Sequence, residues 1–305
     1  MNRQQLIDEI LREKRQRDVC ILAHTYQSPD ILEIADITGD SFALSKAAAQ
    51  VKNRTILMCG VRFMAETVKI LSPEKTVLLS HKNATCPMAD QMTKEQVLAY
   101  RAKHPDHMVV AYINTSAELK SVCDVCVTSS SAVQIVRQLP AQDIYFVPDQ
   151  NLGAYVAAQV PEKNIHLYNG CCPVHYQVTA QDVLDEKARH PGAKVAMHPE
   201  CPPEAVALAD FVGSTSAIID YILHTDQEVI IATERGVYDD LRYRHPEKKL
   251  YQLLPEKFSC VNMKMTTLQG VYCALSGVSG CEITLDEQLR LQAKNAIDNM
   301  LAYGG

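Results

Sequence analysis

The chain has 305 residues, of which 47% are hydrophobic and 22% are charged, and its formal net charge is −6. This length allows two or three compact units that each bury a core. No apolar run approaches the roughly 18 residues of a membrane-spanning helix, and no basic block favours a nucleic-acid partner. The polar amino terminus lacks a signal-peptide hydrophobic stretch, so we expect a cytoplasmic protein. Most of the eleven cysteines are therefore expected to be small buried residues rather than disulfides.

The predicted elements alternate between strands and helices. An apolar stripe at helical spacing begins the chain, and strands over 19–23 and 56–59 flank helices over 30–35 and 42–51. A helix from Phe63 follows, and the same alternation continues to about residue 260. Two closing helices are expected near 265–275 and 285–301. This order predicts a parallel α/β fold.

One phrase of sequence occurs three times: Pro-Glu-Lys, a short apolar strand, a polar turn and a cysteine. The copies begin at Pro73, Pro161 and Pro246 and lead to Cys86, Cys172 and Cys260. A fourth Pro-Glu-Lys, at 255–257, has no strand after it and is not counted. A period this long indicates one α/β unit used three times. We predict repeats at 1–85, 86–171 and 172–260, with residues 261–305 forming C-terminal helices that pack back on the core.

The repeated cysteines predict a metal centre. Three units around a pseudo-threefold axis would bring one thiolate each to a common point, and three thiolates suit a metal site with an open position. A 4Fe–4S cluster normally takes four cysteines, so three would leave one iron open as a Lewis acid. Cys123 and Cys126 form a Cys-x-x-Cys pair that favours a redox or zinc site instead, but the other repeats lack it. Cys171 is a neighbouring alternative to Cys172.

Polar residues also recur at equivalent positions. The expected strand ends carry His24, Tyr112 and His198, each followed two residues later by another polar side chain: Tyr26, Asn114 and Glu200. Ser41, Ser129 and Thr215 stand at helix starts, where they are either plain N-caps or part of anion-binding seats. The pattern predicts a small substrate with several negative charges. Tyr26 and Glu200 are candidate general acid–base groups.

Eight motifs, in order over about residues 18–268, resemble those of the quinolinate synthase family, the A protein of bacterial NAD synthesis. They are Ala23-His24-Thr25-Tyr26, Gly39-Asp40-Ser41, Thr85-Cys86-Pro87-Met88, Pro148-Asp149-Gln150-Asn151-Leu152-Gly153, Cys172-Pro173-Val174-His175, His198-Pro199-Glu200-Cys201, Gly213-Ser214-Thr215 and Cys260-Val261-Asn262-Met263.

The resemblance implies three similar three-layer α/β/α domains with pseudo-threefold symmetry around a central cavity that holds a 4Fe–4S cluster. It also implies a transferase that condenses iminoaspartate with dihydroxyacetone phosphate, losing phosphate and two waters, and a functional link to an L-aspartate oxidase or aspartate dehydrogenase. The implied cluster ligands are Cys86, Cys172 and Cys260. The implied substrate contacts are His24, Ser41, Tyr112, Ile113, Asn114, Ser129, His198, Pro199, Glu200 and Thr215. The implied catalytic residues are Tyr26, Tyr112, His198 and Glu200.

Three alternatives remain on the residues alone. One is a cluster-dependent hydro-lyase that acts on a different hydroxy acid and needs no phosphorylated substrate. Another is a three-unit anion-binding protein whose cysteines are merely packed. The third is a dithiol redox protein that uses Cys123 and Cys126.

Overall fold

The computed structural model describes residues 1–304. They form two compact units: the first contains Met1–Cys86 and Cys260–Leu291, and the second contains Pro87–Ser259 and the residues from Gln292 onward. One sheet belongs to the first unit and two sheets belong to the second. Within the described range, no helix is both long enough and apolar enough to cross a membrane.

Strands and helices alternate from the first helix to the last. The first sheet region contains α1 (Arg3–Gln16), β1 (Val19–His24), α2 (Pro29–Ile34), β2 (Ile37–Gly39), α3 (Ser41–Gln50), β3 (Thr55–Cys59), α4 (Arg62–Leu71) and β4 (Thr76–Leu79). The second contains α5 (Lys94–Lys103), β5 (Met108–Tyr112), α6 (Ala117–Lys120), β6 (Val125–Val127), α7 (Ala132–Gln138), β7 (Asp143–Val147), α8 (Gln150–Gln159) and β8 (Asn164–Leu167). The third contains α9 (Ala180–Arg189), β9 (Lys194–Met197), α10 (Pro203–Val206), β10 (Phe211–Val212), α11 (Thr215–His224), β11 (Val229–Ala232), α12 (Arg235–Arg244) and β12 (Leu250–Gln252). The chain then continues through a 3₁₀ turn (Met263–Met265), α13 (Leu268–Leu275), β13 (Cys281–Glu282) and α14 (Glu287–Gly304).

The three sheets share one strand order. Each places its parallel strands in the sequence second, first, third, fourth: β2-β1-β3-β4, β6-β5-β7-β8 and β10-β9-β11-β12. Strand β1 is buried along its whole length, and β5 and β9 are buried after their first residue, because helices flank the sheets. The predicted α/β fold with parallel sheets is confirmed. The pseudo-threefold arrangement and the three-domain boundaries stay predictions.

The recurring Pro-Glu-Lys lysine has a structural role. In each copy its ammonium donates to carbonyl oxygens at the end of the helix that precedes the neighbouring strand. Lys163 reaches Leu139 O at 2.6 Å and Ala141 O at 2.9 Å. Lys248 reaches Thr225 O at 2.6 Å, and Lys75 contacts Val51 O. These carbonyls lack intrahelical partners, so a cation there satisfies them and opposes the helix dipole.

A second contact recurs with the same spacing. Asp36, Asp124 and Asp210 each accept the backbone N–H of a residue in the first strand of their sheet, at 2.8, 2.7 and 3.0 Å. Each also pairs with a cation from the preceding long helix: Lys14, Arg101 and Lys187. The periodicity of the sequence therefore corresponds to repeated local contacts.

The carboxyl-terminal part contains an element that the sequence pattern did not predict. Strand β13 is two residues long and pairs antiparallel with β4, matching Cys281 to Leu79 and Glu282 to Leu78. Two residues are too few to show alternation. Helix α13 begins at Leu268, after a 3₁₀ turn, rather than near residue 265, and it packs Val271, Ala274 and Leu275 into the core formed with α1 and β1.

Removing one capping lysine should destabilise the second unit without touching its strand ends. Lys163→Met leaves the carbonyls of Leu139 and Ala141 without their cation, so we expect the free energy of unfolding to fall by about 1–2 kcal/mol. Urea denaturation measures this. The matched control is Lys257→Met in the uncounted fourth Pro-Glu-Lys, where the ammonium donates no hydrogen bond within residues 1–304. An equal loss in both variants would contradict the capping role.

Candidate active site

The candidate site lies at the carboxyl ends of the sheets. In this strand order, the end of the first strand is where successive connections leave in opposite directions, and such switch points are the usual ligand sites of parallel α/β sheets. His24 and Tyr112 end β1 and β5, and His198 directly follows β9. These three recurring residues therefore occupy equivalent strand ends, as predicted from the sequence: His24 lies in the first unit, and Tyr112 and His198 lie in the second.

In the first unit, His24 and Tyr26 form one tight turn. The backbone N–H of Tyr26 donates to His24 Nδ1 at 3.1 Å, and the two rings meet edge to face with centroids 4.4 Å apart. His24 is buried. Lys264 donates to the carbonyl of Tyr26, and Gln27 Nε2 donates to Met263 O at 2.9 Å. The segment that follows Cys260 thus fixes the loop after β1.

The same turn recurs in the second unit at His198. The N–H of Glu200 donates to His198 Nδ1 at 3.3 Å, and Nε2 of that ring lies 3.3 Å from Ser129 Oγ. Because Nδ1 accepts, the neutral ring carries its proton on Nε2 and can donate it to the Ser129 hydroxyl. This contact joins two of the predicted substrate-binding residues, one from each of the two sheets of this unit.

Glu200 is the centre of a buried polar array. Its carboxylate is 5% exposed; it accepts from Tyr112 Oη at 2.6 Å and pairs with His175 Nδ1 at 2.8 Å. Asn151 Nδ2 donates to the Glu200 carbonyl at 2.9 Å. Burial alone would raise the pKa of Glu200, but attraction to His175 and the hydrogen bonds from His175 and Tyr112 outweigh it and lower that pKa below its usual range. Glu200 is therefore an ionised acceptor held between two proton-bearing groups.

The three predicted hydroxyls are not N-caps. The capping residues of α3, α7 and α11 are Asp40, Ser131 and Ser214. Ser41 and Thr215 are instead the first helical residues, and Ser129 precedes its helix. In the second unit, Ser129, Gly213 and Ser214 line a cleft of about 520 Å³ between the starts of α7 and α11. The helix starts and hydroxyls at this cleft can donate to an anionic ligand, whereas the carboxylate of Asp220, which also lines the cleft, would repel one.

The loop after β5 carries Asn114, whose Oδ1 is buried and accepts no hydrogen bond within residues 1–304. Two further predicted contacts are buried: Ile113, which precedes Asn114, and Pro199, which lies between His198 and Glu200. The buried Lys120 donates to Ile113 O at 2.8 Å and also contacts Thr115 O, so a cation fixes both sides of Asn114. An unsatisfied buried acceptor on a rigid loop is suited to a ligand donor.

The eleven cysteines fall into distinct environments. Cys20, Cys59, Cys123, Cys126 and Cys201 are buried, and burial raises the pKa of each of these thiols. That environment opposes the dithiol redox alternative, which needs a reactive thiolate. Cys86, Cys172 and Cys260 are all half-buried. The structure describes Cys86 and Cys260 in the first unit and Cys172 in the second.

Cys172 lies beside Asp149 and His175. Its backbone N–H donates to Asp149 Oδ2 at 3.0 Å, and its Sγ lies 3.3 Å from His175 Nδ1. Burial, with the nearby charge of Glu200, raises the pKa of Asp149 well above its usual value. The backbone of Cys171 is held by Gln91 instead. Its N–H donates to Gln91 Oε1 at 2.8 Å, and its carbonyl accepts from Gln91 Nε2 at 2.9 Å.

Sequence reasoning missed His175. It stands at the centre of the site, since Nδ1 faces both Cys172 and Glu200 and Nε2 lies 3.1 Å from Thr233 Oγ1. The positions matching it in the other repeats are Ala89 and Met263, so a search for repeated polar residues excludes it. The Cys-x-x-His spacing, typical of metal-ligand pairs, was the available signal. Cys172, His175 and Glu200 offer ligand atoms within 4.8 Å of one another.

Comparison with known proteins identifies the family of this chain. The family described as quinolinate synthetase A protein matches residues 8–302. The quinolinate synthase of Clostridium kluyveri is 48% identical over 298 residues, which cover 97% of this chain and 98% of that protein. Those of Caldicellulosiruptor bescii and Clostridium acetobutylicum are 47% and 46% identical and cover 100% and 99% of both chains. The chain therefore belongs to the quinolinate synthase family.

Proposed function

We propose that the chain condenses iminoaspartate with dihydroxyacetone phosphate to give quinolinate, phosphate and two waters. The observation that carries this proposal is the buried Tyr112–Glu200–His175 array at the strand ends of the second unit. It couples an ionised carboxylate to two proton-bearing groups, which suits the several proton transfers of a condensation followed by dehydration. Family membership supports the same reaction.

The proposed cofactor is a 4Fe–4S cluster held by Cys86, Cys172 and Cys260. The donor set fits: these three thiols are half-buried, whereas Cys20, Cys59, Cys123, Cys126 and Cys201 are buried with raised thiol pKa values. Cys171, Cys273 and Cys281 are half-buried as well, so the sequence repeat, and not burial, separates them from the three proposed ligands. Ligand thiols must lose their protons, which burial without a partner opposes. When bound through three cysteines, such a cluster supplies one open iron as a Lewis acid toward a substrate oxygen.

The remaining predicted residues divide into binding and proton-transfer groups. Ser129, Thr215 and the helix starts beside them would hold carboxylate or phosphate oxygens in the second unit, and Ser41 would do so in the first. Asn114 Oδ1 would accept a substrate N–H or O–H. Glu200, kept ionised by hydrogen bonds from Tyr112 Oη and His175 Nδ1, would accept a substrate proton either directly or through one of these two groups. Tyr26, with His24 beside it, would be the acid–base residue of the first unit. His198 would orient the Ser129 hydroxyl through Nε2, and it would position Glu200 by accepting the Glu200 backbone N–H at Nδ1.

The test is anaerobic purification, followed by assays of iron, sulfide and quinolinate formation. We expect a brown protein with about four irons and four sulfides per chain that makes quinolinate from iminoaspartate and dihydroxyacetone phosphate. A brown protein without that activity, active instead as a dehydratase of a single hydroxy acid, would favour the hydro-lyase alternative. A folded protein that stays colourless after reconstitution would favour the anion-binding alternative. The cytoplasmic location and the link to an L-aspartate oxidase or aspartate dehydrogenase stay predictions.

A further inference from the structure

A second cluster of side chains that can bind a metal lies on the second sheet, away from the carboxyl ends of its strands. His107 directly precedes β5, Asp143 begins β7 and His166 lies in the edge strand β8. The parallel register sets Met108 opposite Ile144 and Asp143 opposite Asn164, which brings these side chains together. The candidate active site lies at the carboxyl ends of the same strands. This cluster therefore takes no part in the proposed reaction.

The geometry suits an ion of the zinc type. One ligand atom from each of the three residues lies within 4.8 Å of the other two. His166 Nε2 and Asp143 Oδ1 are 3.2 Å apart. A tetrahedral zinc ion with bonds of about 2.0–2.1 Å holds neighbouring ligand atoms about 3.4 Å apart, so this pair already has the required spacing. The rings of His107 and His166 are stacked with centroids 4.6 Å apart, which places both imidazoles beside Asp143.

The residues behind the three ligands also match a metal site. Tyr100 Oη lies 2.8 Å from His107 Nδ1, which orients the ring and leaves Nε2 for an ion. Asn164 Nδ2 donates to Asp143 Oδ1 at 3.1 Å, which orients the carboxylate. Tyr100 is itself fixed by stacking on Tyr145 at 3.6 Å. Histidine and carboxylate ligands supported by such outer hydrogen bonds are the usual construction of a site for zinc and similar ions.

We propose that His107, Asp143 and His166 form a peripheral site for a divalent transition-metal ion of the zinc type, with water completing the coordination. The ion would link the edge strand β8 to the starts of β5 and β7. Since β8 is the edge of its sheet and His166 is exposed, the site is open to solvent and its ion should exchange readily. This inference does not depend on the proposed reaction.

The experiment is a calorimetric titration of the cluster-loaded enzyme with zinc chloride under anaerobic conditions. We expect the wild type to bind one ion whose dissociation constant rises at least about tenfold in His166→Ala and in Asp143→Asn. Tyr100→Phe keeps the ring stacking but loses the hydroxyl, and should weaken binding by about tenfold. The thermal midpoint should rise with zinc in the wild type but not in His166→Ala.

The matched control is His224→Ala. His224 Nδ1 lies 3.2 Å from Asp220 Oδ1, which reproduces an exposed His–Asp pair without a second histidine. This variant should bind zinc as the wild type does. Coincident isotherms for the wild type, His166→Ala and Asp143→Asn would overturn the proposal, as would an equal loss in His224→Ala. Circular dichroism of each variant checks that its fold is intact.

Discussion

Cys172→Ala should yield a folded protein without the brown iron–sulfur absorption, and with quinolinate formation lowered about a thousandfold or more. The reason is the loss of one of only three proposed thiolate ligands, and with it a Lewis acid that contributes several kcal/mol to the barrier reduction. Cys172 is half-buried and its thiol is small, so the substitution leaves no large cavity. Iron and sulfide analysis beside the activity assay measures both effects.

The matched control is the adjacent Cys171→Ala. Cys171 is also half-buried, but its backbone is held by Gln91, and burial with the charge of Asp149 raises the pKa of its thiol. We expect this variant to keep its iron and its turnover. If Cys171→Ala were colourless and Cys172→Ala brown, the ligand assignment would move by one residue. Cys86→Ala and Cys260→Ala should behave as Cys172→Ala does.

Glu200→Gln should separate proton transfer from cofactor binding. The amide keeps the size of the side chain but cannot take up a proton, so we expect turnover to fall by about 10²- to 10⁴-fold with iron content unchanged. Tyr112 Oη and His175 Nδ1, at 2.6 and 2.8 Å, would lose their ionised acceptor. The kinetic constants and the visible spectrum of one preparation give both readouts.

Glu186→Gln is the control for replacing a buried glutamate in the same unit. Among the described residues, Glu186 forms ion pairs with its sequence neighbours Arg189 and His190, at 2.6 and 3.3 Å, and it should keep full turnover when replaced. Should Glu200→Gln lose its fold, Tyr112→Phe removes one hydrogen bond to the same carboxylate and should lower turnover with the structure intact. Full activity in both Glu200→Gln and Tyr112→Phe would contradict the proton-transfer role.

The sequence predicted the fold wherever the pattern was long or repeated. Strand β4 follows the first Pro-Glu-Lys as predicted, because a short apolar segment between polar turns is a local signal. Strand β13 was missed because its two residues are held by pairing with β4 rather than by their own pattern. Tertiary contacts of this kind leave no period in the sequence.

In the candidate site too, the repeated residues were predicted from the sequence and the residues that depend on packing were not. Glu200 and Tyr112 were singled out separately because they recur at related repeat positions, and the structure joins them at 2.6 Å. His175 was missed because only one repeat carries it. The unsatisfied oxygen of Asn114 was equally beyond prediction, since it depends on how the buried Lys120 fixes the loop. The repeat predicts which residues stand at strand ends. Whether each polar atom finds a hydrogen-bond partner depends on how the chain packs, which the repeat does not predict.

The recurrence of the three lysine caps is what duplication of one ancestral segment would produce. Lys75, Lys163 and Lys248 make one contact in three places, whereas His24, Tyr112 and His198 differ in chemistry at matching strand ends. Duplication of one ancestral segment would leave such a record: framework residues are preserved because every copy must fold, whereas the strand-end residues are free to diverge because folding does not depend on their identity. Selection could therefore alter one strand end at a time without endangering the scaffold that presents it.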